Sequence, residues 1–97
     1  MKNIILSLLF INTLSMANGQ DLYKLCTVCH GEFGELQALH KSALIKGQES
    51  AKTIKQLTAY KNGELDQYGL GNIMNMQVQS LSEDDIQALA NYISTLK

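Results

Sequence analysis

The chain has 97 residues, with eight lysines, no arginine, nine carboxylates and a net charge of −1, enough for one domain and not for two. No basic patch or arginine cluster is present, so nucleic-acid binding is excluded as a reading.

The first predicted element is an export leader. Lys2 supplies a positive start, and Ile4 to Leu14 is an apolar run broken only by Ser7, Asn12 and Thr13. Ala17-Asn18-Gly19 places small residues at the −3 and −1 positions of a cleavage site. A bilayer span needs roughly 20 apolar residues, about twice this run. Residues 1–19 are therefore expected to be a cleaved signal peptide and 20–97 the exported domain, with cleavage after Ala17 as the other option. No stable membrane insertion is expected after cleavage. A lipid anchor is not expected either, because Leu25 stands where a small residue should precede an acylated cysteine. Without Lys2, seven lysines face nine acids, a net charge of −2. About 78 residues remain, a size at which area burial and chain entropy nearly cancel, so a staple is needed.

Asp21 to Cys29 places Leu22, Leu25, Cys26 and Cys29 at three- and four-residue steps, the spacing of one helix face. Gly31 and Gly34 break that pattern. Residues 31–47 read mainly as loop, with Leu36, Leu39 and Ala43 able to support a helical turn. Ser50 to Lys61 predicts a middle helix with Ala51, Ile54, Leu57 and Tyr60 on one side, stopped by Asn62-Gly63. Residues 63–80 read as irregular, because Gly69, Gly71, Asn72 and Asn75 interrupt any period. Ser82 followed by Glu83, Asp84 and Asp85 predicts a capping box. Ile86, Leu89, Ala90, Ile93 and Leu96 then form the apolar stripe of a long last helix. No strand pattern of comparable strength exists, so the expected fold class is all-α.

Cys26-Thr27-Val28-Cys29-His30 is a C-x-x-C-H run, the attachment signature of c-type haem. Two thiols three residues apart on a helical turn can each add to one vinyl group of the porphyrin. His30, four residues after Cys26, lies on the same face and can bring an imidazole nitrogen to the iron. Three rivals compete. A redox-active disulfide belongs after a strand in a βαβ pattern, which is missing. A zinc site built with His40 lacks the usual second ligand pair. A plain disulfide across so short a loop stabilises little. The chain's need for a staple and its export leader favour covalent haem c.

A six-coordinate electron carrier needs a second axial ligand, usually Met or His. Met74, Met76 and His40 are the candidates. Either methionine could instead fill a core gap, although a Gly- and Asn-rich segment offers little core to fill. His40 would need a tight loop to reach the opposite haem face and is expected to be exposed.

The chain resembles class I cytochrome c, of the small soluble bacterial monohaem type. The likeness rests on CTVCHGEFG after a short helix, IKGQ in the loop, YKNG ending the middle helix, and MNMQVQSLSEDDIQALANYISTLK. It implies a cytochrome c fold, three to four short helices and loops around one covalently bound haem. It implies that Cys26 and Cys29 form the thioethers, that His30 is the proximal iron ligand, and that Met74, seven residues before Leu81, is the distal one, with Met76 as runner-up. The first helix would cross the last, with Leu22 and Leu25 near Leu89, Tyr92 and Ile93. Many relatives carry a proline in the loop whose carbonyl orients the proximal histidine. Ala43-Leu44-Ile45-Lys46 stands there instead, which leaves the carbonyl partner of His30 unassigned.

The expected function is a periplasmic carrier of single electrons in a respiratory chain, not an enzyme and without a catalytic residue, working as a monomer. Its partners would be redox proteins: a donor dehydrogenase or cytochrome complex, and a terminal oxidase or reductase. Lys24, Lys41, Lys46, Lys52 and Lys55 could ring the electron port and guide an acidic partner. Two alternatives stand beside this reading, a haem-bearing subunit of a larger oxidoreductase and a five-coordinate haem sensor or enzyme.

Overall fold

The computed structural model describes residues 18–97; most of the expected leader lies outside the described residues. The elements run α1 (Gly19–Tyr23), α2 (Thr27–His30), a 3₁₀ turn (Ala38–His40), α3 (Ser50–Lys61), α4 (Gly71–Val78) and α5 (Glu83–Ser94). No strand occurs among the described residues. The fold class is all-α, as expected, with five helices among the described residues.

The single helix expected through Cys29 is broken in two. Asn18 Oδ1 accepts the Asp21 N–H at 3.2 Å and starts α1. The chain then turns through residues 24–26, where the Cys26 N–H donates to the Tyr23 carbonyl at 2.8 Å, and α2 restarts behind it. This break shifts the inward face. Tyr23 is 2% exposed and joins the core, whereas Leu25 is 70% exposed and does not pack where the resemblance put it. Leu22 lies against the edge of the core.

Helix α1 rests on α5, the crossing that the resemblance implied. Glycine permits the approach: a Cβ at Gly19 would collide with the Ala88 carbonyl oxygen and lie 2.8 Å from Tyr92 Cβ. Beside it the Tyr23 and Tyr92 rings meet with centroids 5.6 Å apart at 49°, a tilted pair of the favourable kind. The buried Tyr23 hydroxyl donates to the Gly31 carbonyl at 2.6 Å and so ties α1 to the turn that follows His30. Burial pushes the Tyr23 phenol up to about 12. A folded-state pKa above the unfolded value of about 10 gives stability that is complete below pH 10 and lost as pH rises through about 12. Tyr23→Phe should therefore cost about 1–2 kcal/mol at neutral pH, the value of one buried hydrogen bond. It should also flatten the alkaline decline. Denaturant titrations at pH 7 and above pH 10 read both effects.

Helix α5 begins as its sequence dictates. The Ser82 hydroxyl accepts the Asp85 N–H at 3.1 Å, and the Asp85 carboxylate accepts the Ser82 N–H at 3.0 Å, a reciprocal capping box. Ile86, Leu89, Ala90 and Ile93 are buried along its stripe, and Tyr23, Leu57, Val78, Leu81 and Leu96 complete the core around them. Helix α3 keeps its predicted bounds, but its inward face is turned: Thr53 and Leu57 are buried, while Ala51 is exposed.

Residues 71–78, read as irregular, form α4. Glycine and asparagine are poor helix formers, and the partners that offset this lie on other segments. Asp66 Oδ1 accepts the Gly71 N–H at 2.8 Å. Asn75 Nδ2 donates to the Tyr60 carbonyl at 2.8 Å and to that of Lys61 at 3.3 Å, and Gln79 Nε2 donates to Lys61 at 3.1 Å. Those carbonyls lie in the last turn of α3, where no i+4 N–H reaches them. Lys61 returns the contact by donating through Nζ to the Leu81 carbonyl. Helix α4 is thus fastened across the end of α3.

Candidate functional site

Cys26, Cys29 and His30 are held by one short helical turn, in which the N–H groups of Cys29 and His30 donate to the Cys26 carbonyl at 3.3 and 2.9 Å. All three are half-buried. The two thiols are not joined as a disulfide. Burial, then the charge of Cys29, pushes the Cys26 thiol up to about 11, the opposite of what a reactive redox pair needs. The zinc rival also fails. His40 sits exposed on the 3₁₀ turn, and no group of three or more His, Cys, Asp or Glu able to hold a metal ion exists among the described residues.

The loop opposite is folded back by its own backbone. The Gly34 carbonyl accepts from Ile45 and Lys46 at 3.2 and 3.0 Å, and the Gly47 N–H donates to Ile93 at 3.2 Å. Gly34 has φ +71°, and a Cβ there would lie 2.7 Å from the Lys46 nitrogen, so only glycine fits. Leu39 and His40 both take left-handed backbone (φ 51° and 61°), a conformation that costs a non-glycine residue roughly 1 kcal/mol or more. Leu39 contributes to the wall of the cavity described next.

Two adjoining cavities lie between this loop and the helices, of about 240 Å³ and about 280 Å³. They share walls from Cys26, His30, Leu57, Met74 and Leu89. Each alone is at or below the ~300 Å³ lower end of cofactor sites, and the two together fall inside the range. The second is almost wholly apolar, adding Leu22, Val28, Cys29 and Ile73. The first is closed by Gln48, Thr53, Gln56 and Tyr60.

Met74 lines both cavities, whereas Met76 lines neither and is 73% exposed. Helix geometry accounts for the difference. Two residues along an α-helix are about 200° apart around its axis, so only one can face inward. The anchoring of Asn75 and Gln79 on α3 decides which.

His30 Nδ1 is buried without a hydrogen-bond partner, and burial lowers the pKa of the ring, favouring the neutral imidazole. An orphaned buried nitrogen costs about 1–3 kcal/mol and calls for a partner that the described protein atoms do not supply. In particular, the loop segment Ala43–Lys46 provides no carbonyl bond to it. Two free thiols, a neutral imidazole and a thioether around an apolar void are soft nitrogen and sulfur donors. They fit an iron porphyrin and suit a hard cation poorly. Sequence reasoning missed Tyr23, Asp66, Asn75 and Gln79, which position this site. The step of four between Asn75 and Gln79 was the available signal for the last two.

Comparison with known proteins agrees with this chemistry. The cytochrome c family model matches residues 16–97. The chain is 38% identical to cytochrome c-553 of Helicobacter pylori strain 26695, with both chains covered in full. It is 33% identical to cytochrome c-553 of Nitratidesulfovibrio vulgaris strain Miyazaki F, over 89% of this chain and 83% of the relative. Cytochrome c4 of Stutzerimonas stutzeri is 38% identical over 73% of this chain but 34% of its own length. Near-complete coverage by small single-domain relatives, on a helical frame that gathers thiols, imidazole and thioether around one void, places the chain in the cytochrome c family, as a small class I member that binds one haem c covalently and carries electrons to and from redox partners.

Proposed function

We propose that this cytochrome works in the periplasm as a monomeric shuttle of a respiratory chain, taking single electrons from a dehydrogenase or cytochrome complex and delivering them to a terminal oxidase or reductase. In this reading Cys26 and Cys29 carry the thioether links, and His30 and Met74 are the axial ligands. The observation that supports it most is the convergence of His30 and Met74 on one cavity while Met76 faces outward. When bound, the haem iron supplies the chemistry by cycling between the ferric and ferrous states.

The chain does the rest. His30 is fixed by the α2 turn, and Met74 by the fastening of α4 to α3. A thioether ligand and an apolar wall both favour the reduced form and raise the potential. Ligands set by packing stay in place in both oxidation states, which keeps reorganisation small.

The proposed leader fits the periplasmic reading. Asn18 caps α1 and Gly19 sits against α5, so cleavage after Ala17 keeps both contacts, and cleavage after Gly19 removes them. Among the described residues no helix is long and apolar enough to cross a membrane.

Carbon monoxide separates this carrier from the five-coordinate alternative. The reduced protein, recovered from the periplasmic fraction with residues 1–17 removed, should show no carbon monoxide complex at neutral pH. A full complex would overturn the closed-carrier reading, and an uncleaved chain would overturn the periplasmic one.

A further inference from the structure

The two cavities differ in a way that haem attachment does not explain. Cys26 borders both, but Cys29 borders only the apolar one. The first cavity ends instead in a polar wall from the start of α3. Gln48, two residues ahead of the helix, and Lys52 and Gln56 on its first two turns border the cavity at four-residue steps. Gln48 Nε2 donates to Thr53 Oγ1 at 2.8 Å and to Gln56 Oε1 at 2.7 Å. Thr53 is only 4% exposed. Gln48 and Thr53 are spent within this network, since Thr53 Oγ1 also donates to the Glu49 carbonyl at 3.3 Å, so what the wall still offers the void comes from Gln56 and Lys52.

The sign of that group follows from the lining. No Asp or Glu borders this cavity, and Lys52 does. The Lys52 ammonium makes no ion pair, since the one salt bridge among the described residues joins Lys24 to Asp21. The Gln56 amide N–H₂ is unspent, because its oxygen is the atom that Gln48 engages. A cation and an unspent amide donor at a cavity mouth without carboxylates fit an anion. Haem carries two propionate carboxylates on the ring edge away from its vinyl groups, so thiols at the apolar end and donors at the polar end match one orientation.

We propose that Lys52 and Gln56 of α3, with Gln48 just ahead of the helix and Thr53 behind them, seat the haem propionates, and that the charge of Lys52 is a determinant of the reduction potential. The inference rests on the haem of the proposed function and adds its orientation and counter-charge. A cation beside the carboxylates offsets their field at the iron and so favours the added electron. Removing it favours the ferric form.

The test is a redox titration of the intact holoprotein carrying Lys52→Gln, against Lys55→Gln as a control. Lys55 is exposed on the same helix and borders neither cavity. At fixed solution potential Lys52→Gln should lower the ferrous-to-ferric ratio roughly threefold to tenfold, the scale of one partly screened charge, and Lys52→Glu should lower it further. Gln56→Leu should shift the propionate bending band in resonance Raman spectra, and Lys55→Gln should not. A Lys52→Gln effect no larger than that of Lys55→Gln, with the propionate band unmoved in Gln56→Leu, would overturn the proposal. The methionine–iron absorption band, read on the same samples, reports separately on the His30–Met74 assignment.

Discussion

Replacing Cys26 and Cys29 together by alanine should leave a colourless chain, even in a host able to attach haem, with most of its helical signal gone. The reason is the size of the void those thiols border. At ~24 cal/mol per Å³, leaving even the 240 Å³ cavity unfilled costs about 6 kcal/mol. A small domain has only about 5–15 kcal/mol of total stability, and a second cavity of about 280 Å³ adjoins the first. The cofactor is therefore part of the core, and a group bound only in the folded state contributes its binding energy to folding. Haem staining of the denatured protein and far-ultraviolet circular dichroism check the two halves of this expectation. Either single substitution should retain one thioether, and with it a coloured and less stable protein. A folded, colourless double variant would show that the helices do not depend on the haem.

Met74→Ala should remove the methionine–iron absorption band, open the iron to carbon monoxide and lower the reduction potential. The drop should be a sizeable fraction of the roughly 0.8 V range over which axial ligands set haem potentials. Met76→Ala should keep the band and change stability by less than ~0.5 kcal/mol, as exposed surface positions do. The contrast rests on the 200° that separates the two side chains around α4 and on the bonds from Asn75 and Gln79 to the end of α3. If the band survived in Met74→Ala and vanished in Met76→Ala, α4 would have to be turned in the holoprotein. Spectra of the two variants, oxidised and then reduced under carbon monoxide, decide between these outcomes.

The capping box, the α5 stripe, the bounds of α3 and the pairing of two thiols with His30 were all legible in the chain, because each depends on residues within a few positions of one another. The face of α1 was not. The break after Tyr23 comes from local turn bonds that no apolar spacing announces, and Tyr23 finds its partners in Tyr92 and the Gly31 carbonyl. Helix α4 was hidden for a related reason. Its glycine and asparagines argue against a helix taken alone, and the acceptors that reverse the balance sit on Asp66, Tyr60 and Lys61.

By itself, then, the sequence determined the helical class and the C-x-x-C-H motif that brings two thiols and an imidazole together, both encoded at short range. The tertiary structure alone decided which way α4 turns its methionines, which aromatic residue enters the core and where the polar wall of the cavity lies. Those choices depend on contacts between segments distant in the chain, and local propensity carries no record of them.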